Sequence, residues 1–297
     1  MPFLQVSCDL DAVACQLAED VLMEQGAMSV TLQDPGGDPI LEPGPGEAPL
    51  WGRAIVLALF DEHARVDTVR RALERELGDT AVRGWRVEWL EDRAWERAWM
   101  DDFVPMRFGR RLWVCPSNAR VDASDAIVLK LDPGLAFGTG THPSTALCLE
   151  WLDRQPLQGR FVIDMGCGSG ILSIAALLLG AERVLGIDKD PQALIASREN
   201  ARRNGVDGRL ELASPDDMPA DAIADVLVAN ILAGVLIRLA PELSRRVRSG
   251  GHLALSGILN EQAASVTDSY TSAFELRADD GRDGWALVTG LRRPSEV

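Results

Sequence analysis

The residues with the clearest chemical meaning run Val162-Ile163-Asp164-Met165-Gly166-Cys167-Gly168-Ser169-Gly170. An apolar run that reads as a buried strand reaches an acid, and three alternate glycines then lead into an apolar helix over 171–179. Glycine lets a chain turn tightly and lets a ligand approach backbone that a Cβ would shield. Ligands of open α/β sheets sit beyond the carboxyl ends of the strands. Spacing then separates the cofactors. A dinucleotide fingerprint carries its third glycine three residues after the second. Here that place holds Ile171, so the pattern is G-x-G-x-G. Asp164 near the turn repels a pyrophosphate but suits the cationic groups of S-adenosylmethionine. A tight turn that binds nothing is the competing reading.

A second acid, Asp188, ends the next strand, 22 residues after Gly166. A carboxylate there accepts two hydrogen bonds from ribose hydroxyls, a feature shared by nucleoside ligands of several kinds. Asp190 stands before Pro191 and fits better as a helix cap. Asn230 ends the strand over 225–229. Its amide can hold an amine by hydrogen bonds and turn the lone pair toward a sulfonium, or it can cap the helix expected over 231–247. The stretch Leu131-Asp132-Pro133-Gly134-Leu135-Ala136-Phe137-Gly138-Thr139-Gly140-Thr141-His142-Pro143-Ser144-Thr145 holds one aromatic among glycines and prolines. Such a loop can close over a bound ligand; a structural turn is the alternative. Within it Phe137, Gly140, Thr141, His142 and Thr145 are candidate cofactor contacts, and His142 is either a base or a loop hydrogen-bonder.

These residues need a frame. From Gly159 onward, short apolar strands alternate with helices, the pattern of a mostly parallel, doubly wound α/β sheet. A strand pair around the turn at 279–284 closes the chain as an antiparallel edge. The first ninety residues read differently, as two strand-helix-strand units around a Gly/Pro-rich loop at 34–49. They suggest a small ferredoxin-like α+β domain. In its first helix, over 9–25, Val13, Leu17, Val21 and Leu22 form the expected buried face. A short joining helix with Trp95 and Trp99 is expected over 92–100. The domains are therefore 1–91, a linker at 92–106, and 107–297.

Composition narrows the class. The chain has 297 residues, and the formal net charge is −15. Residues 1–100 carry 19 acidic against 9 basic side chains, and residues 101–297 carry 26 against 21. An acidic surface repels phosphate backbones and attracts basic partners, which argues against direct nucleic-acid binding. Solubility alone also accounts for the charge. Five scattered cysteines without a CxxC read as reduced thiols, with neither a disulfide framework nor a metal site. No run is long enough to span a membrane and no signal peptide is evident, so a cytoplasmic protein is expected; a monomer is expected as well.

LDPGLAFGTGTHPST, VIDMGCGSG, GIDKDP and VLVANIL together, with WERAWMDDFVPMRFGRRLWVCP at 95–116, resemble the bacterial methyltransferases of ribosomal protein L-eleven. The loop motif is specific to that family; the glycine and Asn motifs belong to class I methyltransferases at large. The resemblance implies a seven-stranded Rossmann-like catalytic domain that binds S-adenosylmethionine through Gly166, Asp188, Asn230 and the loop ending at Thr145; the glycine turn itself adds Asp164 and Gly168 as candidate contacts. It also implies that the N-terminal domain recognises the ribosomal protein, and that α- and lysine ε-amines are methylated. A methyltransferase for another protein or a small molecule, a dinucleotide-dependent oxidoreductase, and a non-catalytic cofactor-binding module are the rivals.

Overall fold

The computed structural model describes residues 3–36, 52–78, 81–90, 104–119, 121–132 and 140–294. Phe137, the Gly/Pro-rich loop from 37 to 49 and the expected helix over 92–100 lie outside them. The chain divides into two compact units, Met1–Ala98 and Trp99–Val297.

The first unit contains β1 (Phe3–Asp11), α1 (Ala12–Glu24), β2 (Ser29–Gln33), β3 (Arg53–Asp61), α2 (Val66–Leu77) and β4 (Arg83–Leu90). The strands form one antiparallel sheet in the order β2-β3-β1-β4, the ferredoxin-like arrangement. Strict alternation aims Leu4, Val6, Cys8 and Leu10 of β1, with Ala54, Val56, Ala58 and Phe60 of β3, into one core. Both helices bury residues in it, α2 through Val69, Ala72 and Leu73.

Helix α1 corrects an expectation. Its buried residues are Cys15, Ala18, Val21 and Leu22, while Val13 and Leu17 face solvent. Apolar residues occupy both sides of α1, so periodicity alone did not fix its rotation. Small Cys15 and Ala18 allow the helix to lie close to the sheet, and that stripe wins.

The second unit opens with β5 (Met106–Phe108), β6 (Leu112–Cys115) and β7 (Ile127–Lys130). They form a small mixed sheet that the sequence pattern did not reveal. Then come α3 (Pro143–Arg154), β8 (Phe161–Met165), α4 (Ile171–Leu178), β9 (Arg183–Ile187), α5 (Pro191–Arg203) and β10 (Leu210–Ala213). The chain continues through β11 (Ala224–Asn230), α6 (Ala233–Arg245), β12 (Val247–Leu259), α7 (Ala263–Tyr270), β13 (Phe274–Arg282) and β14 (Trp285–Arg292). Seven strands form one sheet in the order β10-β9-β8-β11-β12-β14-β13. The five from β8 to β12 are parallel, and β14 inserts antiparallel between β12 and β13.

Helices cover both faces. One core joins Leu149 and Leu152 of α3 to Ile174 of α4; the other joins Leu236 and Leu243 of α6 to Tyr270 and Phe274. The buried Tyr270 hydroxyl donates to the Leu236 carbonyl at 2.8 Å, so this polar tip is satisfied inside the core. The chain winds outward from β8 through β9 to β10, then returns to place β11 on the other side of β8. That reversal opens a crevice at the carboxyl ends of β8, β9 and β11.

Candidate active site

A cleft of about 480 Å³ lies at this crevice. Its volume falls within the usual span for small-molecule sites, roughly 300–1,000 Å³. Gly166 and Gly168 form part of its wall, with Ile187, Asp188, Asn230, His142 and Ser144.

The glycine turn is held by its neighbours. The backbone N–H groups of Gly166 and Cys167 both donate to the Ile187 carbonyl, at 2.7 and 3.0 Å. Gly166 has φ +79°, and a Cβ built on it would stand 2.3 Å from Ile231 Cγ2. A side chain there would be strained and would also clash. Helix α5 secures the turn from outside. The Ser197 hydroxyl donates to the Gly168 carbonyl at 2.8 Å, and Asn200 Nδ2 donates to the Ser169 carbonyl at 2.9 Å. Neither contact was evident from the sequence, because both residues look like ordinary polar positions on a helix.

Asp188 is positioned by two backbone donors. Its Oδ2 accepts from Gly168 N at 2.9 Å and its Oδ1 from Asp190 N at 3.0 Å. Asp190 is the cap of α5, accepting from Gln192 N at 2.9 Å. A carboxylate oxygen has more than one lone pair, so Asp188 can still accept from a diol in the cleft.

Asn230 ends β11, and its Nδ2 donates to Thr145 Oγ1 at 3.1 Å. It does not cap the following helix: Leu232 occupies that place, without a side-chain cap. Thr145 is buried in the first turn of α3 and, though not on the cleft wall, anchors the amide that is. His142 caps α3. Its Nδ1 accepts from Ser144 N at 3.3 Å and lies 2.7 Å from Ser144 Oγ. The imidazole meets the Trp285 ring edge-on, with centroids 4.5 Å apart. Burial lowers its pKa below the usual 6.5, so His142 is neutral at pH 7.

Asp164 departs from its expected place. It is completely buried and does not line the cleft. Its Oδ2 accepts from the Ser173 hydroxyl at 2.6 Å, and its Oδ1 has no hydrogen-bond partner among the described residues. Burial pushes its pKa up to about 6, against the opposing hydrogen bonds from Ser173. On β8 it precedes the last strand residue, Met165, which does reach the cleft. A Cβ built on Gly140 would meet Ile171 and Phe108, and neither Gly140 nor Thr141 is on the wall. Several wall residues were missed: Pro215 after β10, Val235 and Arg238 of α6, Gly257 of β12 and Trp285 of β14. Pro215 stands just past a parallel strand end, a place the switch-point rule flags. Nothing in the pattern around Trp285 distinguishes it from a core aromatic.

Residues 2–293 match the family described as ribosomal protein L11 methyltransferase (PrmA). The chain belongs to the ribosomal protein L11 methyltransferase family. It is 53% identical over 293 residues to the ribosomal protein L11 methyltransferase of Edwardsiella ictaluri, covering 99% of this chain and 100% of the relative. It is 54% identical over 294 residues to that of Azotobacter vinelandii, again covering 99% and 100%. A crystal structure of a ribosomal protein L11 methylase from Lactobacillus delbrueckii subsp. bulgaricus is 31% identical, with a TM-score of 0.59. That match covers 65% of this chain and 100% of the other. As a ribosomal protein L11 methyltransferase family member, the protein is an enzyme whose methyl donor is S-adenosylmethionine. The oxidoreductase and non-catalytic readings fall with this assignment. Among the described residues, no helix is long and apolar enough to cross a membrane.

Proposed function

We propose that the protein transfers methyl groups to amines of ribosomal protein L11, both the α-amine and lysine ε-amines. The observation that carries this reading is the identity of 53–54% with curated L11 methyltransferases from end to end. The cleft supports it. Gly166 and Gly168 offer bare backbone, Asp188 a fixed acceptor for a ribose diol, and Asn230 an amide on the wall. These residues suit S-adenosylmethionine, which when bound supplies an electrophilic methyl on a sulfonium.

The chain's own task is to present a neutral amine. Its nitrogen must lie roughly 3–3.5 Å from the methyl carbon, in line with the bond that breaks. A lysine with pKa about 10.4 costs about 4–5 kcal/mol to deprotonate at pH 7, and an α-amine near pKa 8 only about 1 kcal/mol. A desolvated amine beside a cation has a lower pKa, which reduces that cost. With its Nδ2 engaged by Thr145, the Asn230 amide keeps its carbonyl oxygen for the amine N–H, which aims the lone pair. Held by Gly166, Gly168 and Asp188, the donor would supply the methyl group and its sulfonium would serve as the leaving group. The surplus amine proton leaves to water. The N-terminal unit, with its excess of acidic side chains, selects the basic protein acceptor in the cytoplasm.

Mass spectrometry of purified L11 incubated with the enzyme and S-adenosylmethionine tests the proposal. Stepwise methyl gains on the N-terminus or lysines are expected. No gain, from enzyme shown to bind the donor, would overturn it.

A further inference from the structure

We infer that the outward face of α1 is a docking surface for the basic protein acceptor. The inference rests on the function proposed above and adds the surface that would meet the substrate. Val13, Leu17, Asp20 and Glu24 stand at helical spacing on one stripe, with Met23 beside it. Val13 is 95% exposed, Leu17 44% and Met23 51%, and Met28, just past the helix, is 58% exposed.

Apolar side chains exposed singly are ordinary on any surface. Here four gather on one helix and its following turn, while Cys15, Ala18, Val21 and Leu22 already fill the inner side. The fold gains almost nothing from Val13, and only part of the burial that Leu17, Met23 and Met28 could supply. Val13 is β-branched and lowers helix propensity without burying anything. Glu24 places a negative charge at the helix C-terminus, the end the helix dipole disfavours for an anion. Local choices that cost the fold and are not repaid within it mark surfaces kept for another purpose.

Charge identifies the partner. No lysine or arginine precedes Arg53 in the chain. Among the described residues, no ion pair engages Glu19, Asp20 or Glu24; the nearby pairs Arg53–Asp9 and Arg83–Asp11 lie on the strands. Apolar knobs beside unpaired carboxylates complement lysine and arginine, whose stems are apolar and heads cationic. Methionines adapt to such a surface. At 13 residues α1 is about 20 Å long, enough for the centre of an interface burying about 800 Å² per partner.

The test uses full-length enzyme with purified L11. Two double variants, Val13→Ser/Leu17→Gln and Asp20→Lys/Glu24→Lys, change only solvent-facing positions, and thermal melting verifies their folding. Each is expected to raise KM for L11 about tenfold or more, with the dissociation constant of S-adenosylmethionine unchanged. Added salt raises KM of the wild type, and the charge-reversed variant loses that dependence. Unaltered KM in both variants overturns the docking face. So does a change in sedimentation that shows the stripe joining two copies of the enzyme. A wild type that binds the donor but leaves L11 unmethylated overturns the acceptor itself, a separate result from variants matching a wild type that is active on L11.

Discussion

The two units solve the problem of covering a sheet in opposite ways. In the first, antiparallel strands alternate buried and half-exposed residues, and both helices bury residues in a single core. In the second, five parallel strands have a core on each face, so Val226, Leu227, Val228 and Ala229 of β11 are all buried. Parallel strands also place all their carboxyl ends at one edge. The turn after β8, Asp188 after β9 and Asn230 at the end of β11 therefore converge, although 64 positions separate Gly166 from Asn230. Antiparallel strands send successive ends to opposite edges, and the first unit has no such convergence. The lesson is that parallel topology gathers chemistry, while the antiparallel unit offers broad faces.

The strongest way to break this division is to remove the converging amide. Asn230→Ala should lower kcat by about 10²–10³, some 3–4 kcal/mol, on the scale of losing one preorganised polar contact to the reacting centre. Stability should also fall, by about 1–3 kcal/mol, because the buried Thr145 hydroxyl loses the partner that Asn230 supplies. Equal kcat in single-turnover assays would remove Asn230 from the mechanism.

Next comes a core residue of the other unit. Leu73 is fully buried in the first unit's core. Leu73→Ala should cost about 3 kcal/mol through lost burial and the cavity left behind. If the units are energetically separate, calorimetry shows the first unit melting earlier while donor affinity stays the same. A weakened donor affinity would show that the first unit's packing supports the cleft.

The same division explains what could be read in advance. Alternation of strands and helices, the glycine turn, Asp188 and the Asp190 cap all follow local rules, and the structure places them where those rules do. The rotation of α1 did not follow, because Val13 and Leu17 match the helical period as well as Cys15 and Ala18 do. The sheet of β5, β6 and β7 escaped notice because strands of three or four residues show no period. Asp164 was placed near the ligand by its distance from the glycines, but a strand residue's burial depends on which helix covers it. Here α4 supplies Ser173 against it.

That buried acid makes stability depend on pH. Its pKa rises from 3.8 in the unfolded chain to about 6 when folded, because burial disfavours the carboxylate. The folded state binds the proton more tightly, so the contribution is complete below pH 3.8 and is lost as pH rises through 6. The difference amounts to at most about 3 kcal/mol. Asp164→Asn should therefore become more stable relative to wild type as pH climbs from 4 to 7 in urea titrations. Parallel stability curves would place the ionised carboxylate in a better-solvated site than the buried one seen here.

The smallest effect belongs to His142, where two roles make different demands. A general base needs an available ring nitrogen and a pKa near the working pH. A helix cap needs only an acceptor at the position where Nδ1 meets Ser144 N. Low basicity and this hydrogen bond both favour the cap. His142→Asn keeps a capping acceptor and removes the imidazole, so it should retain kcat within a few-fold. His142→Ala removes the cap and should cost about 1 kcal/mol of stability. Should the Asn variant instead lose kcat by about 10² or more, with a changed pH–rate profile, the imidazole is moving a proton. The cleft would then use α3 for chemistry, and the convergence of parallel strand ends would no longer be the whole account of the site.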